Sequence, residues 1–164
     1  MGNPALQAPA HRKRKDELLA AITSPDPTRY KMIATGRHEP IYVYCALDTL
    51  EYAWITGQSY RVIADPPAGE AMQFRLTLSG PEPAPGWMSS VIPERIAQLP
   101  AAKGMPSRCC PYIHFFASQT AYETWHRSLP ATITQHIQYL SLNKAWQKAR
   151  CVLEACKTTP RCDC

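Results

Sequence analysis

Apolar and polar positions change period several times along the chain, and each change marks an element. Asp16 to Ile22 reads as a short helix with acidic residues at its start, stopped by Ser24-Pro25-Asp26-Pro27. Tyr30 to Thr35 and Pro40 to Tyr44 read as strands around a turn at Gly36 to Glu39. From Ala46 to Ile55 the spacing becomes helical, with Leu47, Leu50 and Trp54 three and four apart and Gly57 as C-cap. Ser59 to Ala64 and Met72 to Leu78 form the next strand pair; in the second, Phe74, Leu76 and Leu78 alternate with Arg75, Thr77 and Ser79. Gly80 to Gly86 reads as a proline-rich loop, and the stretch from there to Arg108 carries no regular period. Tyr112 to Ala117 reads as a strand and Thr120 to Ser128 as a helix ended by Pro130. Ala145, Trp146, Ala149, Val152, Leu153 and Cys156 share one face of a last helix. With no repeat and no linker, the pattern predicts one α+β domain with a small mixed or antiparallel sheet flanked by helices. Its expected limits are residues 16–156, between a basic arm at 1–15 and a cysteine-bearing tail at 157–164.

Composition narrows the class of protein. Hydrophobic residues make up 45% and charged residues 19%, the balance of a globular domain with a real core. Sixteen prolines against seven glycines favour rigid connections over long helices. The net charge of +5 is partly concentrated in His11-Arg12-Lys13-Arg14-Lys15. That run reads as an anionic-surface contact or, more simply, a solvated arm; no aromatic-interleaved basic stripe follows, so no nucleic-acid partner is expected. No segment approaches the ~20 apolar residues of a membrane span, and the N-terminus lacks a secretory apolar core. The expected location is cytoplasmic, where seven cysteines, an odd number, are reduced thiols rather than a disulfide framework.

Three groups of those cysteines invite chemistry. Cys45 ends a strand and precedes a helix, so exposed N–H groups and the helix dipole favour its thiolate. Asp48, three residues on, shares the first turn and can take or hold a proton beside the sulfur. A thiolate and a carboxylate so close resist joint ionisation, so one of them is expected to stay protonated. Each also has a plain structural reading, a buried cysteine and a helix-start aspartate, which spacing alone favours. Cys109 and Cys110 enter a strand, where neighbours point to opposite faces, so at most one of them is expected to meet Cys45. His114, alternating with aromatics, reads as a hydrogen-bonded structural histidine. Cys162 and Cys164 sit in a polar terminus and are accessory candidates for soft-metal capture.

Two of these segments, Ile41-Tyr-Val-Tyr-Cys45-Ala-Leu-Asp48-Thr-Leu50 and Cys109-Cys110-Pro-Tyr-Ile-His114-Phe-Phe-Ala-Ser118, closely resemble the alkylmercury lyase family. The final helix, from about His136 to Leu153, resembles that family's last helix. The resemblance implies catalytic Cys45, Asp48 and Cys109, with Cys110 as an accessory. It implies cleavage of R–Hg⁺ by protonolysis: two thiolates and Asp48 hold mercury, and Asp48 relays a proton to carbon. The organomercurial is then the small-molecule partner, Hg(II) the bound product, and free thiol the reductant and acceptor. A mercuric reductase is a further candidate for hand-off, and no organic cofactor or membrane is implied. The resemblance further implies a core without the family's usual N-terminal winged-helix-like domain. Two rival expectations stand beside this one: a non-catalytic thiol protein carrying copper or heavy metal, and a divergent homologue acting on another organometal.

Overall fold

The computed structural model describes the backbone of residues 9–83 and 86–156 and the side chains of 13–83 and 86–154. The core is an antiparallel sheet of six strands: β1 (Thr23–Ser24), β2 (Tyr30–Ala34), β3 (Pro40–Val43), β4 (Tyr60–Ala64), β5 (Met72–Thr77) and β6 (Gly80–Glu82). Their order is β1-β3-β2-β4-β5-β6. Register places Met32 opposite Ile41 on one side and Val62 on the other, with Val62 in turn opposite Phe74. The alternate residues of β4 and β5 are exposed at Arg61, Gln73 and Arg75. The period of two in the sequence is therefore the division between core and solvent.

Helix α2 (Ala46–Thr56) packs on the buried face of this sheet and ends at Gly57, whose φ of 64° lets its N–H reach the Ala53 carbonyl at 2.9 Å. Leu50 and Ala53 of α2 are fully buried. Helix α1 (Pro9–Ile22) begins earlier than the acidic start at Asp16 suggested, and it crosses α2.

A second sheet forms from β7 (Trp87–Val91), β8 (Phe115–Phe116) and β9 (Ile137–Ser141), with β7 in the middle. Strand β7 lies in the stretch without apparent period. Met88, Ser89, Ser90 and Val91 are all buried, so a strand covered on both faces shows no alternation, and its serines break the apolar run. Strand β6 likewise falls inside the expected proline-rich loop, where Pro81 pairs opposite Leu76 at the sheet edge.

Helix α3 (Gln119–Ser128) is capped by the Ser118 hydroxyl, which accepts the Ala121 N–H. The short α4 (Ala131–Thr134) leads into β9. The region from His136 to Leu153 is thus divided between a strand and α5 (Leu142–Cys156) rather than continuously helical. In α5, Ala145, Trp146 and Ala149 are buried as their spacing predicted. Trp146 stacks on Trp54 of α2 with ring centroids 4.2 Å apart, and Trp54 Nε1 donates to the Trp146 carbonyl at 3.2 Å. Residues 1–8 of the expected arm and the tail with Cys162 and Cys164 lie outside the described residues. No helix among the described residues is long and apolar enough to cross a membrane.

Leu50 is 0% exposed at the centre of the α2–sheet contact. Leu50→Ala is expected to lower the unfolding free energy by about 2–5 kcal/mol, read from urea denaturation at constant slope.

Candidate active site

The first half of the site is built where β3 hands over to α2. Cys45 is the N-cap, with extended backbone (φ −145°, ψ 174°), and forms a reciprocal capping box with Asp48. In it the Asp48 carboxylate accepts the Cys45 N–H at 3.1 Å. The acid is thereby held beside the sulfur by the same bond that starts the helix. Both residues are buried, Cys45 at 1% and Asp48 at 6% exposure.

The second half comes from the cysteine doublet, which does not enter a strand. Cys110–Tyr112 is a 3₁₀ turn with Cys109 as its N-cap, and only Phe115–Phe116 pairs as strand. The Ser107 hydroxyl accepts the N–H groups of Cys109 at 3.2 Å and Cys110 at 3.3 Å, and lies 3.3 Å from the Cys110 sulfur. The turn is joined to the helix start by one backbone bond, Ala46 N–H to the Ile113 carbonyl at 3.2 Å.

The ligand atoms of Cys45, Asp48 and Cys110 all lie within 4.8 Å of one another. Cys109, the doublet member expected from the resemblance, is not in this group, although it is completely buried. The expectation rested on strand alternation, and alternation does not apply in a turn. Cys151 is exposed on α5 and stands apart from the group.

His114 holds the turn from behind. Its Nε2–H donates to the Pro111 carbonyl at 2.9 Å, its Nδ1 accepts the Tyr30 hydroxyl, and its backbone N–H reaches the Ser89 hydroxyl at 2.8 Å. Ser89 also donates to the Tyr112 carbonyl at 2.7 Å. This is the structural histidine that its alternation with aromatics suggested. Burial lowers its pKa to about 4, partly offset by the Pro111 carbonyl, so the ring is neutral as this pattern requires. Neither Tyr30 nor Ser89 is signalled as a site residue by the sequence. Ser107, two residues before Cys109, is the exception, since a serine at that offset is a recognisable local turn former.

Burial pushes the Cys45 thiol well above its usual pKa, and a hydrogen bond with Cys110 and the charge of Asp48 act in the same direction. The Asp48 backbone N–H pulls the other way and loses. Helix-start stabilisation of a thiolate is therefore outweighed by desolvation, and Cys45 is the member that keeps its proton. The group opens into a cavity of about 140 Å³ roofed by α1 and α5. Cys110 also borders a larger cleft of about 670 Å³ that includes Tyr30, Tyr44, His114 and Trp125.

The alkylmercury lyase family profile matches residues 23–154, which include the whole site. The chain belongs to the alkylmercury lyase family. Over 109 residues it is 30% identical to the alkylmercury lyase of Staphylococcus epidermidis, an alignment covering 63% of this chain and 46% of that relative. The chain thus spans about half the length of the curated relative it matches. Its fold is similar to the crystal structure of the mercury-bound form of MerB2, with a TM-score of 0.54 at 18% identity, over 79% of this chain and 59% of that one. Within the family's fold, this chain brings Cys45, Asp48 and Cys110 to one point.

Because His114 is neutral when folded and titrates near its ordinary 6.5 when unfolded, the unfolded state binds more protons between about pH 6.5 and 4. Stability contributed by the neutral ring is present above that window and lost as pH falls through it. The loss is expected to be on the order of 2–3 kcal/mol, read as a falling urea midpoint. His114→Gln is expected to flatten that part of the profile.

Proposed function

We propose that the protein cleaves the carbon–mercury bond of organomercurials, releasing R–H and retaining Hg(II) on Cys45 and Cys110. The observation that carries the reading is the buried meeting of two sulfurs and one carboxylate within 4.8 Å. Mercury is a soft ion suited to thiolate ligands, and electron density donated by two sulfurs makes its attached carbon more basic. Asp48 takes a thiol proton as mercury binds and delivers it to that carbon. The capping box gives the acid the fixed position that such a transfer needs. Family membership supports the same chemistry, and the donor set asks for no organic cofactor.

Cys110 borders both cavities, so mercury held on it can keep its organic group in the larger, aromatic-lined cleft while the metal and proton meet on the other side. Hg(II) leaves by exchange onto low-molecular-weight thiols or a thiol-bearing acceptor such as a mercuric reductase. A thiol carrier of copper or heavy metal would use the two sulfurs equally well but has no use for a poised acid. Asp48 is the residue that separates the two readings.

The test is benzene release from phenylmercury under excess thiol, followed by gas chromatography. Wild-type protein is expected to release benzene, and none under reducing conditions would sink the proposal. Asp48→Asn is expected to slow release by about 10²–10⁴-fold while Hg(II) still binds.

Choice within the doublet has its own measurement. Cys110→Ser is expected to reduce cleavage on the order of 100-fold or more, whereas Cys109→Ser keeps it. The opposite order would return the role to Cys109.

A further inference from the structure

Helix α2 presents a second acid to the small cavity. Cys45, Asp48, Glu51 and Ile55 line it in succession along one helix face, at spacings of three, three and four. Leu18 and Ile22 of α1 and Val152 and Leu153 of α5 form the facing walls. Glu51 is only 8% exposed there. An apolar residue would pack at that position without the desolvation cost a carboxylate brings, so packing alone gives no reason for glutamate.

The chemistry proposed above leaves a role for it. Two thiols and R–Hg⁺ give R–H, a mercury bis-thiolate and one remaining H⁺. One thiol proton ends on carbon through Asp48, and the other must leave a buried corner. Resting on that reading of the site, we infer that Glu51 carries the surplus proton, taking it from the thiol–Asp48 cluster and passing it along the α1–α5 crevice to water. No electron changes hands in this step. The S–H bond breaks, a carboxyl O–H forms and breaks in turn, and the proton ends on solvent.

Proton release can be followed without any carbon–mercury bond, because Hg(II) displaces both thiol protons. Reduced full-length protein is mixed with mercuric chloride in weak buffer in a stopped-flow instrument, and a pH indicator dye reports release. Two matched pairs, Glu51 with E51Q and E51D with E51N, each change only the ionisable group at nearly constant shape, so failure of one variant to fold leaves the other pair. The amide forms are expected to release protons at least about tenfold more slowly than their acid partners, with one Hg(II) still bound per chain. Equal rates within the pairs would overturn the inference, as would slowing that follows loss of Hg(II) retention rather than loss of the acid. Benzene release by the wild type is read in parallel. Acid-dependent proton release without benzene would sink the lyase reading and leave the exit role standing; benzene with equal release rates would do the reverse.

Discussion

A single backbone hydrogen bond, from Ala46 N–H to the Ile113 carbonyl, ties the start of α2 to the turn that carries Cys110. The two cysteines lie 65 residues apart in sequence, on segments that belong to different sheets. Without that tie a helix N-terminus and a 3₁₀ turn would have no fixed relation. With it, two sulfurs and a carboxylate share one small space. The bond is supported from behind by the Tyr30–His114–Pro111 chain and by Ser89, which together fix the turn against both sheets.

The corner so formed is defined by burial. A thiol in water beside a helix start would ionise more readily, yet here desolvation dominates and Cys45 holds its proton. Such a thiol is inert toward general electrophiles and oxidants, but a soft metal can displace the proton, with Asp48 ready to receive it. Selectivity for thiophilic metal and supply of the proton thus arise from the same feature. The capping box serves twice, since the bond that satisfies the Cys45 N–H also aims the acid.

Elements with a clear period were legible from the chain. The alternation of β5, the apolar stripe of α2 with Gly57 at its end, and Ala145, Trp146 and Ala149 of α5 all occupy the expected places. Elements without one were not. Strand β7 is buried on both faces, β6 is an edge strand through a proline, and β9 precedes α5 within a stretch read as helix. In each case pairing with a distant strand overrides a weak local signal.

The site divides along the same line. Cys45 and Asp48 were readable as a pair because a helix start fixes the relation of residues three apart whatever surrounds it. The resemblance to the alkylmercury lyases was likewise carried by contiguous segments. Which cysteine of the doublet faces Cys45 was not local information. It depends on whether the chain at Cys109 is extended or turned, and that is decided by Ser107, His114, Ser89 and Tyr30 acting from four different segments. The sequence by itself determined the chemistry of one corner and the family to which it belongs. Only the tertiary structure decided that Cys110 joins that corner, because a turn held by long-range hydrogen bonds follows its partners and not its own sequence.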